Sequence, residues 1–91
     1  PMFDAPLLAG RKTCTARTVK KGEVGDTFLA FGAKFEIVSV ERVPLFRVAE
    51  QWREEGCDSL DHFKEVWRRI HPRHGFVPDE MVWLHVFRRC P

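Results

Sequence analysis

Between Gly10 and Arg17 the chain reads Gly-Arg-Lys-Thr-Cys-Thr-Ala-Arg, with Arg11, Lys12 and Arg17 as cations and Thr13 and Thr15 as hydroxyls. No acid occurs between Ala5 and Gly22, and Lys20 and Lys21 extend the positive run. Cations on both faces of a strand contribute nothing to a core. The stretch therefore reads as a charged edge or cleft wall, whose hydroxyls bond or attack what the charge draws in. A solvated basic strand is the plainer reading of the same residues. Read as a cleft wall, it suggests an anionic or nucleotide-like ligand.

The other chemistry-bearing residues are weaker candidates. His71-Pro72-Arg73-His74 resembles half a metal site, but Pro72 prevents a regular helix from bringing both imidazoles to one face. No Cys pair completes such a set, so a loop is expected there, with no metal and no cofactor. Trp52 and Trp67 fall on helical apolar stripes and belong to a core. Trp83, near the start of a strand, is a candidate rim residue for stacking on a base. His85 is expected to face the inside of a barrel.

At 91 residues the chain is one domain spanning 1–91. Apolar residues make up 44% and charged residues 31%, which excludes a disordered chain. So short a chain buries only roughly 60–65% of its unfolded surface, so most of the Phe and Trp rings are needed for the core. A net charge of +2 does not argue for non-specific DNA binding. Its distribution is more telling: acids gather between Glu50 and Glu65, while Arg11–Lys21 and Arg68–Arg73 are basic. Cys14, Cys57 and Cys90 form no CxxC pair and no disulfide framework, which favours reduced thiols and a cytoplasmic location. There is no apolar run near membrane-spanning length and no visible signal segment. The chain begins at Pro1 rather than Met, as a trimmed chain would.

Asp4 is placed to cap a helical turn through Ala9, which Gly10 ends. Lys12 to Val19 reads as a strand. Lys20-Lys21-Gly22 and Gly25-Asp26 are turn chemistry. Strands follow over Thr27–Phe31 and Lys34–Val43, joined at Gly32. In the second, Phe35, Ile37, Ser39 and Glu41 alternate with Glu36, Val38, Val40 and Arg42. Neither set is cleanly polar, as in a packed or closed sheet. Leu45 to Glu54 reads as a helix stopped by Gly56. Asp58 or Ser59 caps a second helix to about Ile70, with Phe63, Val66, Trp67 and Ile70 on one stripe. Pro72 ends it, and Met81–Arg88 is a final strand. The pattern predicts an α+β fold: a small β-barrel with helices packed over one opening.

Leu8-Ala9-Gly10-Arg11-Lys12-Thr13-x-Thr15-x-Arg17 followed by Gly25-Asp26, then Glu54-Glu55-Gly56-x-Asp58-Ser59, Phe63 and Trp67, and finally Val86 and Phe87, together resemble the ASCH domain of the PUA-like superfamily. The resemblance runs from about Leu8 to Phe87. It implies a barrel whose cleft, beside the Gly-Arg-Lys-Thr stretch, faces RNA or a modified nucleoside. It further implies membership of a small branch of amidohydrolases that act on N4-acetylcytidine and related acylated cytidines, with Lys12, Thr15 and Glu55 as catalytic residues. Arg11, Arg17, Lys20 and Lys21 are then substrate- or RNA-binding. Glu54 adjoins Glu55 and competes for its role.

In that chemistry Thr15 is the nucleophile once a neutral Lys12 takes its proton. Desolvation, or the neighbouring cations Arg11 and Arg17, would lower the Lys12 pKa. A protonated Glu55 would serve the departing amine. Arg17 would hold a carbonyl oxygen, an oxyanion or a phosphate. Water is the alternative nucleophile. The plainer reading pairs Lys12 with Glu55 and leaves Thr15 as an ordinary strand residue. The leading expectation is an N4-acylcytidine amidohydrolase, and the alternative is a non-catalytic RNA-binding module. A nuclease using the same basic cleft is a third reading. Residues three apart on a regular strand face opposite ways, so Lys12 and Thr15 can share a site only if the backbone is irregular between Gly10 and Thr15 or the strand begins late, and the break is expected near Arg11 to Thr13.

Overall fold

The computed structural model describes residues 13–91. Arg11, Lys12 and the helical turn expected over 4–9 lie outside the described residues. Four strands and two helices follow in order: β1 (Cys14–Arg17), β2 (Thr27–Ala30), β3 (Ala33–Pro44), α1 (Leu45–Glu50), α2 (Leu60–Ile70) and β4 (Met81–Arg89). The strands form one antiparallel sheet in the order β1-β4-β3-β2, curled into a half-barrel. Among the described residues no helix is long and apolar enough to cross a membrane.

Each face of the sheet has its own core. On one face, Cys14 and Ala16 of β1, Val82 and Leu84 of β4 and Val43 of β3 meet Leu45, Val48 and Ala49 of α1 and Phe63 and Trp67 of α2. On the other, Phe28, Phe35 and Phe87 pack ring to ring, with centroids 5.4 to 5.7 Å apart. The unbroken alternation expected along β3 is interrupted between these cores. Ile37 opposes Phe87 and Ser39 opposes Val86, so Val38 is an extra, unpaired residue. Such a bulge reverses the parity of the strand: Phe35 and Ile37 share the barrel face with Val40 and Arg42, not with Ser39 and Glu41. Arg88 and Glu36 join across the strands by bonds of 2.7 and 2.9 Å. That contact raises the Arg88 guanidinium further above its usual range.

The turns follow local chemistry, with three shifts from expectation. Strand β1 ends at Arg17, and Thr18 and Val19, expected in it, lie in the bend that follows. Phe31 and Gly32 both have positive φ, 51° and 78°, and form the two-residue hairpin turn between β2 and β3. Phe31 is thus in the turn, not the strand. Helix α1 ends at Glu50 rather than Glu54, and 51–56 continue as hydrogen-bonded turns. Gly56, with φ 89°, closes them. The Cys57 N–H donates to the Trp52 carbonyl and the Gly56 N–H to that of Arg53, both at 3.0 Å, the bonding pattern of a glycine-terminated helix end. Between Asp58 and Ser59, it is Ser59 that caps α2, its hydroxyl accepting from the His62 N–H at 3.0 Å.

Candidate functional site

Strand β1 is an edge strand, and its free side is occupied by the turn that carries Glu55. The Thr13 and Cys14 N–H groups both donate to the Glu54 carbonyl, at 2.8 and 3.3 Å. Successive amides of a regular strand point opposite ways, so the backbone is irregular at Thr13–Cys14. The position of Lys12 relative to that irregularity lies outside the described residues. On the other side of β1 the Phe87 N–H donates to the Thr13 carbonyl at 2.9 Å, which ties the strand to β4.

This arrangement separates the two glutamates. Glu54 is exposed and contributes its main-chain carbonyl. Glu55 is 6% exposed, and its Oε2 accepts from the Cys14 thiol at 3.1 Å. A buried carboxyl group needs such a partner. The glycine-terminated turn fixes where Glu55 leaves the backbone, and the Cys14 thiol fixes one of its oxygens.

A cleft of about 320 Å³ lies between β1 and α2. Its polar wall holds Thr15, Arg17, Lys21 and Glu55. Its apolar wall is Phe63, Val66, Trp67 and Ile70 of α2, with His71 at the helix end. Ile70 leaves the expected core stripe and is 57% exposed. His71 sits against the Trp67 ring, centroids 4.4 Å apart. Trp67 is buried as expected, but its indole N–H has no hydrogen-bond partner among the described residues. The site thus offers apolar flanks for a planar group, hydroxyl and carboxyl groups, and two cations.

On the barrel face of the sheet a second, more open concavity of about 750 Å³ is lined by Asp26, Thr27, Phe28, Ile37 and His85, and again by Thr15, Arg17 and Lys21. His85 opposes Thr15 in the β1–β4 register and is 2% exposed. Its Nε2 accepts from the Lys21 N–H at 3.0 Å, and its Nδ1 lies 3.4 Å from the Thr15 carbonyl. Nε2 as acceptor puts the ring proton on Nδ1, where it meets that carbonyl. One imidazole therefore joins the strand of Thr15 to the loop of Lys21. Gly22 lets that loop lie close to the sheet, because a Cβ there would stand 2.8 Å from the Ile37 side chain.

Of the residues singled out from sequence, Thr15, Glu55, Arg17 and Lys21 meet in one cleft. Lys20 does not line it; its ammonium pairs with Glu23 at 2.6 Å and lies 5.5 Å from the Trp83 ring centre. Arg42 stands at the same distance from that ring, so Trp83 meets two cations and lines neither cleft. His74 pairs with Glu80 at 2.8 Å, and no group of metal-ligating side chains occurs among the described residues. Sequence reasoning missed Cys14, His71 and the bridging role of His85. The alternation of β4 gave the face of His85 but not its partners.

No family model matches the chain, and no curated protein matches it. Solved structures do. An ASCH domain from Lactobacillus crispatus JV V101 superposes with a TM-score of 0.72 at 20% identity, over 93% of this chain and 68% of that one. A protein of Enterococcus faecalis V583 described under the family model DUF984 superposes with a TM-score of 0.68 at 19% identity, over 93% and 67%. The chain therefore has an ASCH-like fold. At these identities the likeness is one of fold alone.

Proposed function

We propose that the cleft between β1 and α2 takes a nucleoside and hydrolyses the amide of an N4-acylated cytidine. What supports the reading is the meeting of Thr15 and Glu55, 40 positions apart, in one cleft with Arg17 and Lys21. The flat apolar flank of α2 suits a pyrimidine ring. Lys12 lies outside the described residues, and its role here comes from the sequence reading.

In the proposed sequence the Thr15 hydroxyl oxygen adds to the acyl carbon while its proton passes to neutral Lys12. The carbon–nitrogen bond breaks as the Glu55 carboxyl gives its proton to the departing amine. Water then cleaves the ester on Thr15, releasing the carboxylic acid and restoring the hydroxyl. One proton of that water returns to Glu55 and the other stays on the released acid, while the proton held by Lys12 restores the Thr15 hydroxyl.

The test is incubation of the full chain with N4-acetylcytidine, followed by ultraviolet absorbance. The expected result is conversion to cytidine, nearly abolished in Thr15→Ala and Lys12→Ala. Arginine keeps its charge at working pH, so Lys12→Arg should be as inactive as Lys12→Ala if Lys12 is the base. Substantial turnover in Lys12→Arg would leave Lys12 as a binding cation, and no turnover by the native chain would sink the amidohydrolase reading. A second reading, a non-catalytic RNA-binding module, is favoured by a separate observation. The Arg17 and Lys21 side chains make no ion pair among the described residues, which leaves both charges available to phosphate.

A further inference from the structure

We infer that the ligand is at least a dinucleotide, with one nucleoside in the β1–α2 cleft, its phosphodiester on Arg17 and Lys21, and the next base in the concavity on the barrel face. This deepens the proposed function and rests on its reading that the β1–α2 cleft takes a nucleoside. The starting observation is that the two spaces have Thr15, Arg17 and Lys21 in common. Strand β1 is only four residues long and lies at the edge of the sheet. One edge strand, with the Lys21 loop that follows it, is thus the partition between the two spaces, and both exposed cations belong to that partition.

The chemistry changes across the partition in the order a nucleotide chain requires. The first space is flanked by apolar and aromatic side chains of α2. The shared wall carries two cations with no ion pair among the described residues. The second space has Phe28 and Ile37 as an apolar floor, with Asp26 and Thr27 beside them. An acid there disfavours phosphate but suits the amino edge of a base. One Asp26 oxygen already accepts from the Glu23 N–H at 2.8 Å, which holds the carboxylate in place. A single nucleoside in either space would leave Arg17 and Lys21 without an anion. A phosphodiester between two bases meets both. Clefts for small ligands typically enclose about 300–1,000 Å³, and both spaces fall in that range, at about 320 and 750 Å³. His85 keeps the partition in register, since it bonds the Lys21 amide and faces the Thr15 carbonyl.

The experiment is calorimetric titration of the full chain at low salt with cytidine, cytidine monophosphate and the dinucleoside monophosphate cytidylyl-adenosine. Each is repeated with Thr27→Phe, which fills the second space from an exposed position, and with Arg17→Ala as an independent check. A second base stacked in its own site is expected to tighten binding about tenfold or more over cytidine monophosphate. That gain should vanish in Thr27→Phe while cytidine monophosphate binds as before, and it should shrink in Arg17→Ala. Equal affinity for the mononucleotide and the dinucleotide overturns the inference and leaves the single-nucleoside cleft standing. A dinucleotide gain that survives Thr27→Phe also overturns it, because the second base then lies elsewhere. Failure of all three ligands to bind overturns the nucleoside reading itself.

Discussion

Cys14 and Ala16 on one side of β1, and Thr15 and Arg17 on the other, are separated by a single strand, yet their surroundings have little in common. The first pair is closed under α1 and α2 with Val82 and Leu84. The second pair borders the two concavities, and its β4 partners are His85 and Trp83. Shape governs most of the helix side, where apolar groups fill space and the Cys14–Glu55 bond is a directed exception. Directed bonds govern the barrel side beside β1, where one imidazole serves a carbonyl and an amide. Stability should therefore respond mainly to volume on one side, and ligand binding to bond geometry on the other.

The largest expected effect is on the helix side. Leu84→Ala, at a position 4% exposed, should cost about 2–5 kcal/mol in chemical denaturation. A loss under ~1 kcal/mol would mean that this core repacks freely and that the contrast is overstated. His85→Leu should cost less, about 1–3 kcal/mol, because it strands the Lys21 N–H. It should also weaken ligand binding out of proportion to that cost. A stability loss with unchanged affinity would break the link between the imidazole and the Lys21 loop. The smallest effect on folding is expected from Arg17→Ala, within about 0.5 kcal/mol for an exposed side chain. The same substitution should reduce the slope of RNA affinity against salt by about one. An unchanged slope would show that Arg17 meets no phosphate.

Features that one residue type imposes locally were readable from the chain. Gly56 and Ser59 mark the helix end and the next cap because each has a backbone task few residues perform as well. The strands were legible from Thr, Val and Phe content and from turn glycines. The bulge at Val38 was not, because no glycine or proline marks it and either parity places apolar residues on both faces. The early end of α1 was missed because its apolar stripe carries on to Trp52, and 51–56 are still hydrogen-bonded. At the site, the meeting of Glu55 with Thr15 was expected from the family resemblance, not from periodicity. The Lys21–His85 bond joins residues 64 positions apart, and nothing local in either segment announces the other.

The paired bonds from Thr13 and Cys14 to the Glu54 carbonyl bear on how this chain meets its own kind. An open sheet edge is a template for strands from other molecules. At the start of β1 the outward amides already have a partner within the chain, so that margin is blunted against intermolecular pairing. The opposite margin, Thr27–Ala30, carries no charge, and its Leu29 is 80% exposed. Among the described residues the sheet is therefore guarded at one border and bare at the other, and crowding would find the β2 border first.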